Sequence, residues 1–270
     1  MWNMADSLLS MRHLDDLARR QTSIHRLHPV AKLVTTVMYL AVVTSFDSRA
    51  IGALLPLALF PVVLMALAEL PPDAIVKRLL FVEAFVVTIG ILSPLLNREV
   101  VTVGGMTLSA GWLVFVSLLL KSALTVTATL ILIATTGMDR IAVALRLLKA
   151  PKLFVLQLML TYRYISVLME EVQRTVMAYS LRAPEQRGVH WTAWGSLAGQ
   201  LLLRTVDRAQ RVYEAMRLRG FDGDFQAGEA AMKVKASDYG FTAGWVAFFL
   251  AARFVNLSAW LGSLITGVLR

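Results

Sequence analysis

Long apolar runs dominate the first half of this chain and determine what it can fold into. Four of them cover about residues 30–46, 50–70, 79–96 and 110–135, and a fifth closes the chain at about residues 239–268. A helix needs about 20 residues to cross about 30 Å of hydrocarbon, so these runs have roughly the length of membrane spans. A mean hydropathy of +0.64 and a charged fraction of 17% agree with this interpretation. The sequence therefore predicts an all-α polytopic membrane protein with about five transmembrane helices.

The distribution of positive charge predicts how the chain is oriented. The formal net charge is +9, and Lys and Arg concentrate before the first run, between the second and third, and in residues 137–238. Cytoplasmic loops of membrane proteins carry such an excess. We therefore expect a cytoplasmic N-terminus and an external C-terminus, and we favour membrane topology over nucleic-acid binding as the reason for the charge. The chain has no cysteine, which excludes disulfides, thiolate metal sites and cysteine nucleophiles.

Composition divides the chain into four predicted segments. Residues 1–29 are a cytoplasmic N-terminal segment, residues 30–136 a four-helix transmembrane region, residues 137–238 a cytoplasmic module, and residues 239–270 a C-terminal transmembrane helix. The module is predicted to hold a short helix at about residues 139–149, a long helix after Pro151, and a second long helix at about residues 196–219.

Both long helices are predicted to be amphipathic. Apolar residues recur at helical spacing, at Leu158, Ile165, Leu168, Val172, Val176 and Tyr179 in the first and at Leu202, Val206, Ala209, Tyr213 and Met216 in the second. We expect these apolar faces to meet the transmembrane helices and the polar faces to meet water or a partner.

Each long helix is predicted to end in an arginine. Arg182 stands just before the helix breaker Pro184, and Arg219 precedes Gly220, where a left-handed C-cap is expected. A cation in the last turn can simply offset the negative end of the helix dipole. Two such ends in one module instead favour two docking points, because the guanidinium group is planar, always charged and suited to carboxylates on another protein.

At these helix ends the sequence resembles the transmembrane T component of energy-coupling factor (ECF) transporters, in particular the cobalt/nickel branch (CbiQ-like). That family carries two X-Arg-X motifs, most often Ala-Arg-Gly, at the ends of two cytoplasmic coupling helices. The second motif is matched by Leu218, Arg219 and Gly220 within RAQRVYEAMRLRGFDG. The first is placed at Leu181, Arg182 and Ala183, which departs from Ala-Arg-Gly at both flanks; an alternative register at Arg187 lies beyond Pro184. The stretches SIHRLHPVAKL and LLLRTVDRAQRVYEAM resemble the cobalt/nickel branch, and the resemblance covers nearly the whole chain.

The resemblance implies a non-catalytic subunit of an ATP-driven importer in the prokaryotic cytoplasmic (inner) membrane, with a link to cobalamin biosynthesis. Arg182 and Arg219 would insert into grooves on two ATP-binding cassette (ABC) ATPase subunits, which bind ATP and magnesium. Closure of the ATPases would tilt a separate substrate-binding membrane subunit (S subunit), and a small accessory membrane subunit is a further candidate partner. That S subunit would hold Co²⁺, with Ni²⁺ as the second choice, and no cofactor is expected in this chain. In agreement, the sequence lacks a G-x-x-x-x-G-K-[ST] phosphate-binding loop.

Two smaller groups of residues are further candidates. His25 and His28 could share a helical face as ligands for cobalt or nickel, but they lack a clear third ligand, and Pro29 follows at once. Glu83 and Lys121 lie inside apolar runs, where ionisable residues are costly and often functional. The structural alternative is a buried Glu83–Lys121 pair that holds two helices together, and for Glu83 we favour it.

Two other classes of function stay open. A stand-alone secondary carrier or channel would need a polar or acidic lining near mid-membrane and usually an inverted repeat, and we find neither in the sequence. A membrane enzyme acting on phosphate or lipid head groups from a basic cytoplasmic face would need convergent acids or histidines, and residues 137–238 offer only scattered ones.

Overall fold

The computed structural model describes residues 17–47, 51–96, 100–103, 106–182, 188–223 and 234–254. The chain forms two compact units. We call the first the core unit; it comprises the described residues between Leu17 and Gly137 and residues 234–254. The second, the inserted unit, comprises the described residues 138–182 and 188–223. The chain thus leaves the core unit at Gly137, and its next described residues in that unit begin at Val234.

The core unit is built from helices and one small hairpin. Its elements are α1 (Pro29–Ser45), α2 (Ile51–Leu54), a 3₁₀ turn (Pro56–Ala58), α3 (Leu59–Leu67), α4 (Pro72–Gly90), α5 (Leu92–Leu96), β1 (Val100–Val103), β2 (Met106–Ser109), α6 (Ala110–Thr136) and α10 (Ala236–Phe254). The inserted unit contains α7 (Met138–Leu147), α8 (Lys152–Arg182) and α9 (Ala193–Leu218). The predicted all-α class is confirmed, and the antiparallel β1–β2 hairpin is a small addition that the hydrophobic pattern did not reveal.

Helix α6 lies at the centre of the core unit and packs against α1, α2, α3, α4 and α5. By length and apolar composition, two described helices could each cross a membrane, one at Gly111–Thr136 and the other at Lys152–Arg182. Two shorter apolar helices cover Pro29–Ser45 and Ile51–Leu67. The second of the longer helices is α8, which lies in the basic stretch of residues 137–238 and is therefore predicted to be cytoplasmic.

Prolines explain where the helices depart from the predicted runs. The run at residues 50–70 is divided around Pro56, whose ring cannot donate a backbone hydrogen bond, and a 3₁₀ turn replaces a turn of α-helix there. The run at residues 79–96 begins earlier, at Pro72, a residue that suits the first position of a helix. The predicted fifth run is helical from Ala236 to Phe254, and its remainder lies outside the described residues.

An aromatic cluster joins α1, α3 and α10. Tyr39, Phe60 and Phe249 are fully buried, with centroids 4.6 Å apart between Tyr39 and Phe60 and 5.1 Å apart between Phe60 and Phe249. Trp245 packs edge-on against Phe60 at 4.9 Å. The Tyr39 hydroxyl donates a 3.1 Å hydrogen bond to the carbonyl of Leu57, inside the 3₁₀ turn. The cluster thus links the irregular segment to two long helices.

One side of α4 exposes large apolar side chains. The exposed fraction is 63% for Leu80, 82% for Phe81, 68% for Phe85 and 58% for Ile89. Water-soluble chains rarely expose so continuous an apolar strip, whereas lipid tails solvate it without cost. This surface is what a helix that faces lipid requires.

Candidate functional site

The first predicted arginine motif lies at the end of α8. Arg182 is the last residue of this helix, its side chain is exposed, and Leu181 beside it is 76% exposed. Pro184 follows two residues later and cannot continue the helix. Ala183, the third residue of the motif, and Arg187, the alternative register, lie outside the described residues. The described part therefore places Arg182 at an accessible helix end.

The second predicted motif lies at the end of α9, and hydrogen bonds fix its backbone. The amide of Gly220 donates to the carbonyl of Arg217 at 3.0 Å, and the amide of Phe221 donates to the carbonyl of Met216 at 3.0 Å. These two bonds define a Schellman cap, which requires a left-handed residue after the helix. Gly220 supplies it with φ 83°, in agreement with the predicted C-cap. Arg219 is consequently held at the cap, where its side chain is exposed, and Leu218 is 90% exposed.

A Gly220→Ala substitution is expected to loosen this cap. A Cβ at Gly220 meets no atom within 4 Å, so the cost comes from the left-handed backbone alone and amounts to about 1 kcal/mol. Hydrogen–deuterium exchange of the full chain should show faster exchange at the amides of Gly220 and Phe221. The matched control is Gly195→Ala, which also has open space around the new methyl group but lies within α9, where alanine favours the helix. Equal exchange in Gly220→Ala and wild type would contradict the capping role.

One ionic contact joins α8 to α9, and a second lies within α8 beside it. The Arg204 Nη1 atom lies 2.9 Å from Glu171 Oε1, and Arg174 Nη1 lies 3.7 Å from Glu171 Oε2. The Glu171 side chain is only 16% exposed, so its two oxygens are shared between arginines of both helices. Beside this contact is a cavity of about 170 Å³, whose lining includes Thr205, Arg208 and Arg211. Such partly exposed pairs contribute up to about 1 kcal/mol each, so they align the helices more than they stabilise them.

The apolar stripe predicted for α9 is exposed within this chain. Leu202 is 64% exposed, Val206 46% and Tyr213 55%, and no residue of α9 is buried. The more covered positions, Leu201, Thr205, Arg208 and Val212, are each one residue earlier in the helix than the stripe. Within the inserted unit this stripe is therefore left uncovered, and its contact with the transmembrane helices stays a prediction.

The predicted Glu83–Lys121 pair is wrong, because each residue has another partner. Glu83 Oε1 accepts a 2.7 Å hydrogen bond from Ser122, and Lys121 Nζ donates to the carbonyl of Phe46. Phe46 is the C-cap of α1, where unsatisfied carbonyls attract cations. Arg253 reaches the same helix end, with a 3.3 Å hydrogen bond to the carbonyl of Ser45. Lys121 thus stabilises the end of α1, and the structure gives it a packing role.

His25 and His28 serve local structure. The His25 ring nitrogens lie 2.7 Å from Thr22 Oγ1 and 3.1 Å from the carbonyl of Leu17. His28 is the N-cap of α1, where its Nδ1 atom accepts a 3.3 Å hydrogen bond from the amide of Val30. Within the described ranges, no three His, Cys, Asp or Glu residues gather as a metal site would require. A role of this pair in metal binding finds no support in this geometry.

Comparison with known proteins adds two findings. The CbiQ family, described as cobalt transport protein, matches residues 20–229, which include α1 to α9 and both arginine positions. A relative from Bacillus subtilis (strain 168), the energy-coupling factor transporter transmembrane protein EcfT, is 29% identical over 222 residues. That alignment covers 74% of this chain and 81% of the relative. Both findings agree with the resemblance observed at the helix ends.

Proposed function

This chain belongs to the CbiQ cobalt transport protein family, and we propose that it is the transmembrane coupling subunit of an ATP-driven ECF importer. In this role it binds two ABC ATPase subunits on its cytoplasmic side and a substrate-binding S subunit within the membrane, with a small accessory membrane subunit as a further candidate partner. ATP hydrolysis takes place in the ATPases, so this chain is a non-catalytic part of the transporter. It lies in the prokaryotic cytoplasmic membrane with its N-terminus inside and its C-terminus outside.

The exposed arginine at the capped end of α9 is the observation that supports this proposal most. A side chain that stabilises only its own helix dipole does not need exposed apolar neighbours, yet Leu218 is 90% exposed beside Arg219. Arg182 and Leu181 repeat the arrangement at the end of α8. An arginine flanked by exposed apolar surface matches the residues that dominate protein–protein interfaces. We infer that each helix end inserts into an acidic groove of one ATPase.

Transmission of movement follows from this attachment. When ATP closes the two ATPases, the grooves carry the ends of α8 and α9 with them. Each helix is continuous, so a displacement at its end reaches its full length, and the Arg204–Glu171 contact at 2.9 Å aligns the two helices. The exposed stripe with Leu202, Val206 and Tyr213 offers an apolar surface for the S subunit. Tilting of that subunit then releases the metal ion on the cytoplasmic side.

We propose Co²⁺ as the transported ion and Ni²⁺ as the second candidate, as the name of the family suggests. The ion is the substrate and is held by the S subunit. His25 and His28 are not needed for it, because both already serve local structure.

Co-purification tests the proposed function. We expect the chain, purified from native membranes in mild detergent, to bring with it an ABC ATPase and a second membrane protein, identified by mass spectrometry. The reconstituted complex should take up radioactive cobalt only with ATP. The purified chain alone should transport nothing in liposomes. Cobalt transport by the chain alone would favour a stand-alone carrier and overturn the proposal.

A further inference from the structure

Two buried charges hold the ends of three helices in the core unit. Lys32 and Asp238 are 4% and 3% exposed, although charged residues are rarely buried unless they are paired. The Asp238 carboxylate accepts a hydrogen bond from the amide of His28 at 2.9 Å and one from the amide of Lys235 at 2.7 Å. Lys32 Nζ donates a 2.8 Å hydrogen bond to the carbonyl of Thr135. We call His28, Lys32, Thr135 and Asp238 the polar clamp.

Each charge of the polar clamp has the sign that its helix ends favour. Asp238 lies in the first turn of α10 and also binds the N-cap residue of α1, so one negative charge serves the positive ends of two helices. Lys32 binds a carbonyl in the last turn of α6, the negative end of that helix. The clamp therefore fastens the end of α6 and the start of α10 to the first turns of α1.

The clamp lies where residues 138–223 are connected to the core unit along the chain, before them and after them. Thr135 stands just before Gly137, where the chain leaves the core unit, and Asp238 lies in the first turn of α10, the first described helix after the return. Gly137, with φ 75°, ends α6 there. Any displacement that travels along the backbone from residues 138–231 must reach the core unit through α6 or α10.

We infer that Lys32 and Asp238 are positioning residues for energy coupling. They keep the junction ends of α6 and α10 attached to α1, so that movement of the inserted unit displaces the transmembrane helices instead of fraying their ends. This inference rests on the proposed function, since it presupposes that the inserted unit moves with the ATPases. Lys32 and Asp238, which lie outside the arginine motifs, thus help to set the number of metal ions imported per ATP hydrolysed.

The test compares metal uptake with ATP hydrolysis in the intact reconstituted complex. In Lys32→Met and Asp238→Asn, we expect the number of cobalt ions imported per ATP hydrolysed to fall at least about fivefold, while ATPase binding persists. Lys32→Arg, which keeps the charge and a donor, should restore much of the ratio. The matched control is Lys121→Met, which also loses a cation on a helix-end carbonyl, but far along the chain from either junction. That control should lower thermal stability and leave the ratio unchanged.

The outcomes separate this inference from the proposed function. An unchanged ratio in Lys32→Met and Asp238→Asn, in a wild-type complex that transports with ATP, overturns the inference alone. Absence of ATP-dependent uptake in the wild-type complex overturns the proposed function. If the variants do not assemble into a complex, a measurement on the wild-type complex still tests the inference. Hydrogen–deuterium exchange of the wild-type complex should show the amides of His28 and Lys235 protected in both nucleotide states, and loss of protection in one state contradicts a clamp that persists through the cycle.

Discussion

An Arg219→Glu substitution is expected to lower ATP-dependent cobalt uptake and ATPase association by about tenfold or more. In the proposed complex Arg219 lies in an acidic groove, and reversal of its charge leaves two negative groups facing each other where a pair had been. Loss of one member of a desolvated charged pair typically costs about 2–5 kcal/mol in binding. Radioactive cobalt uptake and the amount of ATPase retained on the purified chain measure the two effects. Arg182→Glu should act in the same direction with a smaller effect, because its motif departs more from the family pattern.

The matched control for this substitution is Arg217→Glu. Arg217 lies in the last turn of the same helix, is also exposed, and changes the net charge by the same amount. Residues two positions apart point to different sides of a helix, so Arg217 should lie outside the groove. Membrane insertion should be normal in both variants. Equal loss of uptake in both would indicate a general effect of charge at this helix end and contradict a specific contact of Arg219.

A Phe60→Ala substitution is expected to lower the free energy of unfolding more than any other substitution named here. Phe60 is fully buried between Tyr39 on α1 and Phe249 on α10, so removal of its ring leaves a cavity where three helices meet. We expect a cost of about 2–4 kcal/mol, lower than some values for water-soluble cores because packing rather than water exclusion holds membrane helices together. The midpoint of thermal unfolding in detergent measures it. Phe85→Ala, at a side chain that is 68% exposed, is the control and should leave the midpoint nearly unchanged.

Local signals made part of this structure predictable. The apolar run at residues 110–135 corresponds to α6 at Ala110–Thr136, because Ser109 and Gly137 delimit an uninterrupted helical sequence. The end of α9 was also predictable, since an arginine directly before a glycine is a short-range pattern, and Gly220 has the expected left-handed conformation. The 3₁₀ turn at Pro56–Ala58 was not predictable, because the carbonyl of Leu57 within it accepts a hydrogen bond from Tyr39, which lies on another helix.

The polar clamp could not be predicted, because its partners are distant in sequence. Asp238 binds His28, and Lys32 binds Thr135, across chain separations that periodicity does not report. The predicted Glu83–Lys121 pair was wrong for the same reason. Both residues were recognised as charges in apolar runs, but their partners are a serine and a backbone carbonyl, which a pattern of charges does not identify. The one local hint was Asp238 itself, an acidic residue in the first turn of a helix.

The absence of any buried residue in α9 has a consequence for how such transporters diversify. Surface residues of a helix without buried side chains can be substituted without repacking a neighbouring helix. Its sequence can therefore change together with that of the protein that binds it. Chimeras that receive α9 from a relative are expected to retain their fold and to bind the ATPase subunits of that relative. Recognition of a different ATPase can therefore evolve separately from the transmembrane helices to which α9 is connected.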